Sequence, residues 1–533
     1  MNRAATVALL LLAFWNTAHG KDLIGVFEDA LHNDPVIRQA DANRLAAREA
    51  KPQALAALLP QLNGTAGATR DHQSGIQTQL FSVPNPSNPN TSQIIAAQLP
   101  DTTDTTTYQW ALNLRQNVFS WSNWMTLKAA SQEVAQAEAN YQAAEQQLIL
   151  RAAQAYFAVL TAIDTLAADQ ASLEAIARQL DQANKRFEVG LIAITDVEDA
   201  KAARDTAAAT VIAAKRTLAT AEDQLQEITG AKYDALAKPS DNMPLNNPEP
   251  ADESRWVNIS LEQNLSLVSS RLAADIARDN VRVAIGGHLP TLDVVAGRSY
   301  QQSNADESFG SAPGEPASTF SDVFNKTNDR QIGLQFTLPI FSGGFTQSKV
   351  RQSEYQWIAA KEGVVQSSRA TERQARDAYL GVISGIARVQ ALRQALESNE
   401  TSLKATEAGY EVGTRTSVDV LNARRLLVQA QTDYATSRYD YIVSVLQLRL
   451  AAGNLDRTQL TELNNWLTVS APTSPAVETP ETLTPTVPPS GTAPATPPGV
   501  PAPAQPPPGT QSAPHQPPGA PPAGTPSPPR GRP

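Results

Sequence analysis

The sequence predicts an α + β membrane protein with an internal duplication: a β-barrel shared between protomers, four strands from each, continuous with a long α-helical coiled-coil barrel. Three observations carry this. The chain repeats itself: FEVGLIAITDVEDA around Phe187 returns as YEVGTRTSVDVLNA around Tyr410, about 223 residues on, and Leu59-Pro60-Gln61-Leu62 returns as Leu289-Pro290-Thr291-Leu292. Proline is missing between Pro100 and Pro239 and between Pro339 and Pro472, where Ala, Gln, Leu, Glu and Arg prevail. Ahead of each long helix lie short segments of strict two-residue alternation.

Each proline-free window is interrupted by one glycine motif, at Gly190 and at Gly413. Each therefore reads as a long helix, a tight turn and a shorter helix. The long helices are expected over 124–187 and 345–410, about 96 Å each at 1.5 Å per residue. Globular helices average about 11–12 residues, so helices this long imply a coiled-coil-like assembly. The shorter helices are expected over 194–228 and 417–451. Another helix precedes each Leu-Pro-x-Leu motif, over 22–50 and 256–284, with Pro52 ending or kinking the first. Two short helices laid end to end match one long one, so a tube wall can alternate single long columns with stacked short pairs.

In the strands, Ile332, Leu334, Phe336 and Leu338 alternate with Gln331, Gly333, Gln335 and Thr337; Tyr108, Trp110, Leu112 and Leu114 alternate with Gln109, Ala111, Asn113 and Arg115. Their expected partners are 62–69 and 292–300. Each is about 10 residues, the length of a tilted transmembrane strand. The segments 71–106 and 302–330 are expected as polar loops. Aromatic residues gather at the strand ends: Phe119, Trp121, Trp124, Phe341 and Phe345 at one, Tyr108 and Tyr300 at the other. Gly343-Gly344 marks a bend where strand becomes helix. Four strands cannot close a membrane barrel, which takes about eight, and open edges are not tolerated in lipid. The chain must therefore oligomerise, and geometry alone permits two, three or more copies.

Composition sets the compartment. Arg3 precedes an apolar run from Ala4 to Trp15, followed by the small-residue site Ala18-His19-Gly20, the pattern of a signal peptide over 1–20. Cysteine is absent, so neither disulfides nor a cysteine-linked lipid anchor is expected. No stretch after the signal peptide reads as the roughly 18 apolar residues of a spanning helix, so any membrane crossing is by strands. An excess of acid, 53 Asp+Glu against 43 Lys+Arg, argues against nucleic acid as a partner. His32, His72 and His288 lack metal-ligand spacing, and no nucleophile elbow or phosphate loop occurs, so neither an enzyme nor a cofactor or metal is expected. The expected layout is a first repeat over 21–245, a second over 246–467, and a disordered tail over 468–533, where most of the 38 prolines fall.

The segments LDQANKRFEVGLIAITDVEDA, GHLPTLD and AGYEVGTRTSVDVLNA, within a likeness running from about Asp22 to Trp466, resemble the TolC family of outer-membrane efflux and type I secretion channels. The resemblance implies a homotrimer in the outer membrane of a Gram-negative bacterium, with most of its mass in the periplasm. It implies a tunnel closed at its periplasmic tip and opened by a periplasmic adaptor protein with an inner-membrane transporter of the RND or ABC type. It assigns a tip lock to Thr195, Asp196, Tyr410 and Arg415, and a lining of the constriction to Asp419. Where the family has a second acidic ring this chain has Asn422. Two alternatives stand beside this reading: a duct for metal-ion efflux, and a secreted helical scaffold that forms no channel.

Overall fold

The computed structural model describes residues 20–240, 243–310 and 318–473. The signal peptide, apart from Gly20, and nearly all of the proline-rich tail lie outside the described residues. In chain order the first repeat holds α1 (Leu23–Asn33), α2 (Pro35–Arg48), α3 (Ala50–Ala56), β1 (Gln61–Asn85), β2 (Asn88–Ser120), α4 (Trp121–Glu188), α5 (Ile194–Thr229) and β3 (Ala235–Pro239). The second holds α6 (Glu253–Gln263), α7 (Leu265–Ile285), β4 (Thr291–Phe309), β5 (Ser318–Thr337), α8 (Phe345–Glu411), α9 (Ser417–Ala452), α10 (Arg457–Asn464) and β6 (Leu467–Pro472). The last strand runs five residues past 467, the expected end of the second repeat.

The two long helices hold 68 and 67 residues, about 100 Å apiece. Each expected single helix before the Leu-Pro-x-Leu motifs is divided, and not by Pro52. Asp34 and Asn264 break them, at matching places in the two repeats. Each has an extended backbone and caps the next helix, accepting from Ile37 N and Leu267 N at 3.1 Å. Pro35, at the first position of α2, has no amide to waste there. A further break at Glu49 separates α3, which contains Pro52 in its first turn.

The stacked short columns are present. The Asn33 side-chain amide donates to Thr229 O at 2.8 Å, seating the end of α5 against the start of α2. In the second repeat the Asn264 amide donates to Ala451 O at 3.1 Å, seating α9 against α7. Gly453 ends α9 at φ 76°, and a Cβ there would stand 2.3 Å from Gln263 O, so only glycine fits this joint. Each joint sets one helix C-terminus against another's N-terminus, which aligns their dipoles.

The core sits at this mid-height belt. Leu148, Tyr156, Phe157 and Leu160 of α4 pack with Tyr439, Ile442 and Leu446 of α9, with Leu23 and Val26 of α1, and with Trp256. One 18-residue window of α4 is apolar enough to span a membrane, contrary to the sequence expectation. It is 56% buried against the rest of the chain, which makes it the belt's core helix rather than a membrane span. Strands β3 and β6 pair antiparallel and close the belt over Tyr156, whose hydroxyl donates to Ala237 O at 2.5 Å.

Above the belt, β1, β2, β4 and β5 form one antiparallel sheet in that order. The strands hold 25, 33, 19 and 20 residues, two to three times the expected length. The expected polar loops are ladder for most of their course: Arg70 to Pro84 pairs with Thr106 to Ser92. Threonine is β-branched and suits a strand, and five of the seven residues of DTTDTTT are threonine. Alternation marks only strands with one greasy face; beyond the membrane both faces are wet and the signal vanishes. At the other end β5 stops at Thr337 rather than Ile340, before Pro339, which cannot donate to a ladder. Pro60 and Pro290 stand immediately ahead of β1 and β4 and turn helix into strand. Gly343 and Gly344 both take left-handed backbone angles, 60° and 82°, at the bend into α8.

Candidate functional site: the helical tip

The far end of each long helix closes in the same way. Leu191 N donates to Arg186 O at 2.9 Å and Gly190 N to Phe187 O at 2.8 Å. In the second repeat Thr414 N donates to Gly409 O at 2.8 Å and Gly413 N to Tyr410 O at 3.1 Å. Gly190 and Gly413 sit at φ 74° and 80°, the left-handed angles that such helix ends require. The duplicated motif is thus a duplicated C-cap, about 100 Å of helix away from the sheet.

Thr195 and Asp196 lie in the first turn of α5, Thr195 exposed and Asp196 half-buried, beside the small tip core of Ala183, Val197 and Ala200. Tyr410 closes α8. Arg415 follows the turn, its chain folded over Gly409, where a Cβ would meet Arg415 Cγ at 2.8 Å. Among the described residues no hydrogen bond or ion pair joins Thr195 or Asp196 to Tyr410 or Arg415. Within one chain Tyr410 is engaged differently: the Arg186 guanidinium stands 5.0 Å from the centre of its ring. Arg415 is exposed and makes no ion pair with another described residue.

Asp419 completes a helix cap. Its carboxylate accepts from Thr416 N at 3.0 Å and from Thr416 Oγ1 at 3.0 Å, while Asp419 N donates to Thr416 Oγ1 at 3.2 Å: a reciprocal cap that starts α9. These bonds hold its carboxyl below the usual carboxylate range, the Thr416 amide contributing most and nearby Arg415 adding to it. Asn422 is exposed one turn further along the helix.

Three tip contacts escaped the sequence reading. Gln179 of α4 donates to Ser417 Oγ at 3.2 Å, tying the first helical hairpin to the start of α9. Arg186 holds Tyr410. Arg424, four-fifths buried, pairs with Glu407 at 2.5 Å and braces α8 to α9. The chain path brings these partners together from up to 238 residues apart, and no local pattern announces them.

The model of the family described as outer membrane efflux protein matches this chain twice, over residues 26–231 and 256–454, once in each repeat. Outer membrane protein TolC of Escherichia coli is 35% identical over 477 residues, covering 89% of this chain and 91% of that protein. TolC of Vibrio cholerae is also 35% identical, covering 88% of this chain and 98% of that one. Alkaline protease secretion protein AprF of Pseudomonas aeruginosa is 25% identical, with 84% and 88% covered. Among solved structures, the Campylobacter jejuni CmeC outer membrane channel superposes with a TM-score of 0.62 at 19% identity, over 84% of this chain and 90% of that one, a likeness of fold.

Proposed function

We propose, from the premise that the chain belongs to the outer membrane efflux protein family, that three copies form one exit duct through the outer membrane, closed at the helical tip. The outer membrane is its location, and the family is one of transport ducts rather than enzymes. That location removes the secreted-scaffold alternative. The observation that carries the reading is the sheet. Its outer strands β1 and β5 each pair on one side only, among the described residues, and lipid does not tolerate an open edge. Copies of the chain satisfy those edges by pairing β5 of one with β1 of the next. The helical columns beneath each sheet then line one tunnel.

At the tip, Arg415 is exposed, and Thr195 and Asp196 are exposed or half-exposed on the neighbouring hairpin. This suits a lock made between protomers, with the Arg415 fork on a neighbour's carboxylate or carbonyls. A periplasmic adaptor and an inner-membrane transporter of the RND or ABC type open it. The cargo is drugs, detergents and bile salts, as the family resemblance implies, or proteins of a type I system, as the names of the protease-secretion relatives suggest. Single-channel conductance in a planar bilayer tests the reading. Wild type should show a small, stable conductance, and Arg415→Ala a larger one. A folded, inserted protein with no conductance in either form would overturn the duct.

A further inference from the structure

The ladder fixes which side chains share a face of the sheet. Rows run Leu62–Leu114–Ala296–Ile332, then Gly64–Leu112–Arg298–Arg330, then Ala66–Trp110–Tyr300–Asn328, then Ala68–Tyr108–Gln302–Lys326, then Arg70–Thr106–Asn304–Phe324. Below them lie Val294–Leu334 and Leu292–Phe336. This face is the greasy one: Leu62, Ile332, Leu334 and Phe336 are all well exposed on it. The opposite face carries Asn63, Asn113 and Gln331 in one row and Asp329 in the next, and it suits a wet lumen.

The apolar face carries four cations, Arg298, Arg330, Lys326 and Arg70, and no acid through those rows. Arg298 and Arg330 are directly opposite one another in the ladder, a placement that repels. Neither is in an ion pair with a described residue. Their neighbours are rings: Trp110 and Tyr300 stack with centroids 6.2 Å apart, the Arg298 guanidinium lies 5.8 Å from the Trp110 ring, and Lys326 lies 5.5 Å from the Tyr300 ring. From Leu292 to Tyr300 the strand rises about 20 Å at the usual tilt, so these rings form the girdle on the hairpin side of a band about 25 Å tall. The helices leave from the other side, so this girdle belongs to the outer leaflet.

We propose that Arg298 and Arg330, with Lys326 and Arg70 above them, seat the phosphates of an anionic outer-leaflet glycolipid against Trp110 and Tyr300. The phosphate sits between two arginines that otherwise repel, each fork donating to its oxygens. The acyl chains lie down the apolar rows toward Leu334 and Phe336, and Lys326 and Arg70 meet charge higher on the headgroup. This rests on the outward direction of the face and not on export, so a loss of lipid binding and a loss of conductance are separate results.

The test is native mass spectrometry of the detergent-purified protein, titrated with a multiply acylated diphosphoryl glucosamine disaccharide. The dephosphorylated form of that lipid and inorganic phosphate serve as the other two probes. Wild type should bind the diphosphorylated lipid at least tenfold more tightly than the dephosphorylated one. Arg298→Gln/Arg330→Gln should lose that preference, and Arg298→Lys/Arg330→Lys should keep most of it. Arg330→Gln alone, on the outer strand of the sheet, should weaken binding severalfold and serves if the double variant fails to fold. Equal binding of the two lipids, or unchanged binding in the glutamine variants, would overturn the seat. So would displacement of the lipid by millimolar inorganic phosphate, which would assign the arginines to a free anion.

Discussion

Suppose Gln179 is replaced by alanine and Arg186 by glutamine in the same chain. The double variant removes two contacts between the first helical hairpin and the second at the tip, the Gln179–Ser417 hydrogen bond at 3.2 Å and the Arg186–Tyr410 ring contact at 5.0 Å. A neutral hydrogen bond contributes about 0.5–1.5 kcal/mol net, and an exposed cation over a ring about 0.5–1 kcal/mol. Together they contribute about 1–2.5 kcal/mol per chain, and about 3–7.5 kcal/mol if three chains open as one. About 5.5 kcal/mol converts a two-state equilibrium from 1:99 to 99:1. The variant should therefore carry a channel that is mostly closed into one that is often open. Single-channel recording reads this directly as a larger mean conductance with frequent transitions. Tyr410→Phe keeps the ring and should disturb the contact with Arg186 little, whereas Tyr410→Ala removes it. If the double variant matches wild type while Arg415→Ala conducts more, the closing energy lies wholly between protomers and the reasoning fails.

Three further outcomes are expected. Asn422→Asp should create a second acidic ring one turn further from the tip than Asp419 and tighten polycation block, read as a lower blocking concentration in a bilayer; unchanged block would contradict a focused negative potential at that level. Asp419 has its carboxyl depressed in the folded chain, so its charge and its cap persist as pH falls past the ordinary value of 3.8 and vanish only below it. Polycation block should accordingly survive from pH 7 down to 4; a block lost already above pH 5 would show three carboxylates raising one another across the axis. Asp34→Ala removes a helix cap and the partner of Arg151 at 2.6 Å, and should cost about 2–3 kcal/mol; Asn264→Ala removes a cap and the bond to Ala451 O at 3.1 Å, and should cost about 1.5–2.5 kcal/mol. Urea midpoints followed by heat-modifiable migration would decide; a midpoint unchanged from wild type in either variant would refute its role at the break.

Sequence reading went furthest where one chemical rule acts alone. The long helices end within three residues of expectation because glycine at Gly190 and Gly413 is the residue a left-handed helix end requires. The short helices before the sheet were misjudged because their breaks lie at Asp34 and Asn264. An acid or amide before an apolar run is a common sight in a helix, and only the abutting column shows why it is a joint. The strands were read at less than half their length, since Thr-rich ladder wet on both faces has no alternation to detect. At the tip, Asp419 was legible as a charge, but its capping bonds to Thr416 depend on local backbone angles. Gln179 and Arg186 were not legible at all, because their partners are set by how two hairpins lean together.

The belt also decides when the molecule can be finished. Lys21 N donates to Ala235 O at 2.8 Å, Ala237 N donates back to Lys21 O, and Leu23 N donates to the Asn464 side chain at 3.0 Å. The first described residues and the last are thus bonded to the same small patch, across 441 positions of sequence in the last case. A chain delivered vectorially, N-terminus first, holds an unfinished seam until its final helix arrives. Everything between, both long columns and all four barrel strands, is a loop drawn shut by that closure. Premature termination before Asn464 therefore removes more than a terminus, because it leaves the start of the chain without its partner. Conversely, the two ends stand close enough that joining Lys21 to Thr473 and reopening the chain at the hairpin between β1 and β2 should preserve the architecture.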